Sequence, residues 1–170
     1  IAKCYGKKIE IASREFLPNS LGFFYTAMCQ LIGFDKFGEE YKVMGLSGYG
    51  DESYVNFCDQ LINSKADGSY SLKNGYFEMH SGGSSATNGQ LNAMYTNKLK
   101  NDLLELARNK DPEKFKSDIA YATQKTFEKA SQRYIAGAIK HVGSRTIAFS
   151  GGCALNGVNN ASMLSNGIID

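Results

Sequence analysis

A chain of 170 residues with 42% apolar content is long enough for one well-buried core, and its net charge of +2 offers neither a basic stripe for nucleic acid nor a polybasic block for a membrane surface. The longest uncharged stretch, Asn19 to Phe34, includes Asn19, Ser20, Thr26 and Gln30 and falls short of the ~20 apolar residues that a membrane span needs. Cys4, Cys29, Cys58 and Cys153 are far apart with no CxxC pair, and His80 and His141 have no carboxylates at ligand spacing, which argues against a zinc ribbon, a disulfide scaffold or a self-contained metal site.

The four cysteines are expected to be reduced, mostly buried thiols in a cytoplasmic protein. With no methionine at Ile1 and an apolar run opening at Gly167, the chain is expected to be an internal piece of a longer protein.

Lys8 to Ile11 reads as the end of a strand, stopped by Pro18. Ser20 can cap a helix whose apolar face is Leu21, Tyr25, Met28 and Leu31, ending at Gly33. Glu39 to Leu46 reads as a short helical turn that breaks at Ser47-Gly48-Tyr49-Gly50, with Tyr25 and Tyr49 as packing residues. Asp51 can cap a further helix with a buried stripe of Tyr54, Cys58 and Leu61.

The period then changes from helical to alternating. Asn74-Gly75 predicts a type I′ hairpin in which Leu72 faces Phe77 and Tyr70 faces Met79. Ser81 to Gln90 reads as a loop rich in Gly, Ser and Asn, and the natural place for mobility. Leu99, Leu103 and Leu106 mark an amphipathic helix.

Asp111-Pro112 supplies a cap and a first-position proline for a long helix reaching His141 and closed by Gly143. Its apolar stripe of Phe115, Ile119 and Ala122 resumes one step out of phase at Phe127, Ala130, Tyr134 and Ala138. Thr146 to Phe149 then reads as a short buried strand, Ser150-Gly151-Gly152 as a turn, and Ala154 to Val158 as the opening of a helix. These elements make an α/β unit with a mixed sheet, not a bundle.

A strand that ends in Gly-Gly and turns into a helix puts bare backbone at the carboxyl edge of a sheet, where open α/β folds bind ligands. Without side chains at Gly151 and Gly152, a base or phosphate can approach the main chain, and the free N–H groups of the following helix favour an anion. Asn156 can both donate to and accept from a ribose or base edge. The other reading is a tight turn with a solvated Asn156, for the stretch is neither a P-loop nor a GxGxxG fingerprint.

Three segments, "NSLGFFYTAMCQLIGF", "GEEYKVMGLSGYG" and "IAFSGGCALNGVNN", resemble in order and spacing the SLGxxY, EYKVMGL and GGxALN runs of the nodulation and antibiotic-biosynthesis O-carbamoyltransferases, the group that includes the tobramycin and cephalosporin enzymes. "DIAYATQKTFEKA" is similar to the long helix before their double glycine. The resemblance implies that residues 1–170 are an internal segment of an amino-terminal domain with an actin-like, ribonuclease-H-like ATPase fold, a mixed sheet with flanking helices.

It also implies ATP-dependent transfer of a carbamoyl group from carbamoyladenylate, made from carbamoyl phosphate and ATP by a second domain, to a small-molecule or saccharide hydroxyl. By the same resemblance Gly151, Gly152 and Asn156 hold the nucleotide, Glu40 lies by the ribose or phosphate, and Lys42 is the catalytic candidate. Lys42 and Glu40 also have ordinary readings, a surface ion pair and a carboxylate serving a helix dipole.

The family's divalent metal, iron, implies an H-x-x-x-H pair before Ile1 and an acidic ligand after Asp170, so no metal ligand is expected within the segment. Asn19 stands where many relatives carry His. The segment alone is expected to be inactive, lacking the metal-binding start and the adenylate-forming domain. An actin-like kinase and a nucleotide-binding module without chemistry are the alternatives.

Overall fold

The computed structural model describes residues 1–78, 86–87 and 90–169, with side chains from 92 onward in the last span. The chain opens on an antiparallel ribbon of β1 (Ala2–Tyr5) and β2 (Lys8–Ile11), nearly all of it solvent-exposed. The first helix, α1 (Leu21–Leu31), starts where Ser20 Oγ accepts the Phe23 N–H at 3.3 Å.

Instead of one apolar face, α1 is buried on almost every side, Phe24 to Gln30 without a break. That is possible because its polar residues have partners. Thr26 donates to Glu40, while Gln30 donates to the Asn92 carbonyl and accepts from the Met94 N–H, each at 2.9 Å. Phe24, Ala27 and Met28 are fully enclosed, so α1 is the centre of the core.

Around it lie α2 (Glu40–Leu46), which runs directly into a 3-10 turn at Ser47–Tyr49, and α3 (Val55–Asp59), entered through a second 3-10 turn capped by Asp51. Cys58 and Leu61 are buried as their spacing suggests, but Tyr49 is 80% exposed and packs on nothing substantial.

The hairpin differs from its predicted pairing. The strand β4 (Tyr70–Leu72) pairs antiparallel with β3 (Ile62–Ser64), upstream of it, with Ile62 opposite Leu72 and Ser64 opposite Tyr70. Asn74-Gly75 does turn the chain, but only Gly75 takes positive φ, 78°, whereas a type I′ turn requires it of both residues. Asp67-Gly68 supplies the loop that closes the observed ribbon, and Phe77 bridges to Tyr95. Met79 lies outside the described residues, as do 80–85, 88 and 89 of the glycine-rich stretch; β5 (Ala86–Thr87) and β6 (Gln90–Leu91) form a third short ribbon.

Two helices follow, α4 (Asn97–Ala107), capped by Thr96, and α5 (Pro112–Val142), capped by Asp111 and closed by Gly143 in the left-handed conformation. The 31 residues of α5 make a spine roughly 46 Å long, against which α1, α2, α3 and the last helix pack.

Thr146 to Phe149 is not a strand. It runs irregularly on the surface, with Ile147 and Phe149 more than a third exposed, because no described segment offers its backbone a hydrogen-bonding edge. Gly152–Leu155 is a 3-10 turn, and α6 (Gly157–Ser165) begins three residues later than Ala154, with Asn156 as its cap.

The architecture is thus mixed α/β in content. Among the described residues all strands sit in separate antiparallel ribbons, and the single mixed sheet expected from the sequence does not form. No described helix is long and apolar enough to cross a membrane. Cys29 and Cys58 are buried free thiols, Cys153 is half-buried, and Cys4 is exposed, so two of the four fit the expectation of mostly buried thiols.

Candidate functional site

Three stretches that lie far apart in sequence meet on the first half of α1. Cys153, in the 3-10 turn after the double glycine, packs against the start of the helix, where a methyl on Gly22 would stand 3.6 Å from its Sγ. One turn on, the Tyr25 hydroxyl donates to Gln124 Oε1 on α5 at 2.9 Å. At the next residue, Thr26 Oγ1 donates to Glu40 Oε1 on α2 at 2.7 Å.

Gln124, only 2% exposed, is the hub. Its carboxamide and that of Asn156 form a reciprocal pair, with Gln124 Nε2 to Asn156 Oδ1 at 3.0 Å and Asn156 Nδ2 to Gln124 Oε1 at 2.9 Å. Gln124 Nε2 also donates to Glu128 Oε1 at 2.9 Å, and Lys125 neutralises the other oxygen of that buried carboxylate at 3.1 Å. Asn156 Oδ1 further accepts the Asn159 N–H at 2.9 Å, which caps α6. Both functions of the Asn156 amide are therefore engaged with protein partners, and Asn156, only partly exposed, caps the helix rather than lying within it.

Burial raises the Tyr25 hydroxyl well above its ordinary pKa, with Cys29, Glu128 and Glu40 adding to the shift and the Asn156 amide opposing it. Tyr25 is consequently a neutral donor, which fixes the direction of its bond to Gln124.

Gly151 has φ 99° and ψ 178°, a backbone region that side chains rarely enter, so the turn requires glycine there. Gly152 does not need to be glycine for the fold. A Cβ on it would meet nothing within 4 Å, and both glycines are exposed, so their backbone faces open space.

The structure thus links Glu40 and Asn156 through adjacent residues of α1, with the glycine turn immediately before Asn156. Lys42 is elsewhere in the interaction pattern. Its ammonium pairs with Glu39 and lies 5.3 Å from the centre of the Phe34 ring. The hydrogen bond from Lys42 holds the Glu39 carboxyl below the ordinary carboxylate range, and the same bond raises the lysine. Asn19 is a structural ligand of β4, accepting the Leu72 N–H on Oδ1 at 3.0 Å.

Sequence spacing alone does not single out Gln124, Glu128 or Thr26, and it presents Tyr25 as a packing residue only. One signal was present, the slip in the α5 stripe between Ala122 and Phe127, for there the buried face widens to take in Thr123, Gln124 and Thr126 while Lys125 stays exposed.

Among the described residues no group of three or more His, Cys, Asp or Glu is placed to hold a metal ion, and His80 lies outside them. The described donors do not fit a divalent metal.

The family model for the carbamoyltransferase N-terminus matches residues 4–170. The chain is also 34% identical over 155 residues to sll1178 of Synechocystis sp., an uncharacterized protein, an alignment covering 88% of this chain and 23% of that protein. The chain thus spans about a quarter of the length of the curated relative it matches. By its match over nearly every residue, and with the three motif segments gathered on one helix, the chain belongs to the carbamoyltransferase N-terminus family.

Proposed function

We propose that this chain is part of an ATP-dependent O-carbamoyltransferase of actin-like fold, acting on carbamoyladenylate made from carbamoyl phosphate and ATP. The acceptor hydroxyl oxygen attacks the carbamoyl carbon, the bond from that carbon to the phosphate oxygen breaks, and AMP leaves with the electron pair. The hydroxyl proton passes to a base.

One observation carries this reading: the glycine turn with Asn156, and Glu40 on a different helix, are tied to neighbouring residues of a single buried helix. Open backbone at Gly151 and Gly152 would receive the adenylate. Asn156 would offer it the second Nδ2 hydrogen while the first holds Gln124, and Glu40 Oε2 would take a ribose hydroxyl while Oε1 holds Thr26.

Lys42 would act by exchanging Glu39 for the phosphate of the adenylate, offsetting charge on the leaving group. The Lys42–Glu39 pair favours a second reading, in which the domain binds nucleotide and performs no chemistry.

The test is Gly152→Ala in the full-length protein. Since an added methyl meets only open space, the melting temperature should hold, while affinity for a non-hydrolysable carbamoyladenylate mimic should fall roughly tenfold. Unchanged affinity by calorimetry would remove the turn from the site. Binding without transfer of the carbamoyl group to an offered hydroxyl acceptor would leave the non-catalytic reading standing.

A further inference from the structure

A second cleft of about 860 Å³ opens between the β3–β4 loop and the last turns of α5, lined among others by Ser64, Lys65, Arg133, Lys140 and His141. It shares no residue with the motif cluster, and Lys140 lies roughly 24 Å along the α5 axis from Gln124 at about 1.5 Å per residue.

Arg133, Ala136, Gly137 and Lys140 recur at helical spacing and form one face of α5. The loop lies directly on that face. A methyl on Gly137 would stand 2.2 Å from the Asp67 carbonyl oxygen, and one on Gly68 would stand 2.5 Å from the Arg133 carbonyl oxygen. Glycine inside a helix costs about 1 kcal/mol relative to alanine, and the backbone contact explains its use at position 137. The contact brings Lys65 across to the same cleft as Arg133 and Lys140.

Charge in the cleft is unbalanced. Its single carboxylate, Asp67, accepts the Ser69 hydroxyl at 2.7 Å and the Ser69 N–H at 2.9 Å. The hydroxyl bond is the chief reason that its carboxyl lies below the ordinary range, with Lys65 a lesser one. Among the described residues, Lys65, Arg133, Lys140 and His141 make no ion pair, whereas Lys125 and Lys129 on the same helix are both paired. Lys140 and His141 suit the negative end of α5, but that dipole acts only within the last turn and leaves Arg133 and Lys65 unexplained.

We propose that this cleft binds a phosphate-bearing small molecule. The planar fork of Arg133 can hold two oxygens of a phosphoryl group, and Lys65 and Lys140 supply the further charge that a dianion or trianion requires.

The test is calorimetric titration of the full-length protein with inorganic pyrophosphate, and separately with ribose 5-phosphate, which has no base for the adenylate site. Saturable binding is expected, weakened roughly tenfold or more in an Arg133→Gln/Lys140→Gln double variant and weakened by added NaCl through screening. Tighter binding of ribose 5-phosphate than of pyrophosphate would assign the cleft to a phosphomonoester, and the reverse to a free polyphosphate ion. No saturable binding, equal binding by the double variant, or a lowered melting temperature with unchanged affinity would overturn the proposal, as would preference for citrate or an acidic peptide.

Discussion

Replacing Gln124 with leucine keeps the volume of the side chain and removes every hydrogen bond at the hub. The hydroxyl of Tyr25, a residue 5% exposed, loses its acceptor; Glu128, also 5% exposed, loses one donor; and the Asn156 amide loses both bonds of its pair. A buried polar group left without a partner costs about 1–3 kcal/mol. Glu128 keeps Lys125 and Asn156 keeps the Asn159 N–H, which puts each of them near the low end of that range. The expected loss is about 3 kcal/mol, or a fall in melting temperature of roughly 6–12 °C for a chain of this size. Urea unfolding of wild type and Gln124→Leu, followed by far-ultraviolet circular dichroism, measures it. Combining the change with Asn156→Ala should cost at least about 1 kcal/mol less than the sum of the single losses, since each removes the same pair. A loss below about 1 kcal/mol, or strict additivity, would refute the account of Gln124 as the hub.

Lys42→Ala in the full-length protein should lower carbamoyl transfer at least about tenfold, with the melting temperature changed little because its ion pair is only partly buried; wild-type turnover would take Lys42 out of the mechanism. Gly137→Ala should destabilise by about 1–3 kcal/mol in thermal unfolding despite the better helix propensity of alanine, because its methyl meets a backbone oxygen at 2.2 Å; a gain in stability would show that the loop yields freely. Burial pushes the thiols of Cys29 and Cys58 and the hydroxyl of Tyr70 up to about 12. Their neutral forms are favoured by folding, so this contribution is complete below the ordinary thiol value of 9.0 and is lost as pH rises toward 12, which alkaline unfolding measures. In the native protein at about pH 8, an aromatic disulfide reagent should label exposed Cys4 rapidly and reach Cys29 and Cys58 only on unfolding.

Helices were legible in the sequence because their signals are local. Ser20 and Asp111 cap the helices they were expected to cap, whereas Asp51 caps only the 3-10 turn before α3, and the apolar spacing of α4 and α5 places Leu99, Leu103, Ile119 and Phe127 inside. Strand partners depend on distant residues, and those were misread. Asp67-Gly68 and Asn74-Gly75 are equivalent turn signals by type, and what selects the first is that Ile62 and Leu72 can then share a buried face. The run Thr146 to Phe149 has a strand's composition, but composition cannot provide the second edge that makes a strand. The glycine turn was visible, and so was Asn156. The partner of Asn156 was not, since a polar residue amid a helix stripe looks like a solvated position until the opposing helix is in place.

The geometry of the turn therefore rests on α1 and α5. With no sheet behind Thr146 to Phe149 among the described residues, the position of Gly151 and Gly152 is set from the other side, by Cys153 against Gly22 and by the cap that Asn156 gives α6. Asn156 is held in turn by Gln124, and Gln124 by Tyr25. A change at Gln124 should then reach the glycine backbone through Asn156 although Gln124 touches no ligand in the proposed site. It should weaken nucleotide binding in the protein that remains folded, beyond its effect on the folded fraction. A binding defect in Gln124→Leu fully accounted for by its unfolded population would mean that the turn keeps its shape without the hub, and that Asn156 serves α6 alone.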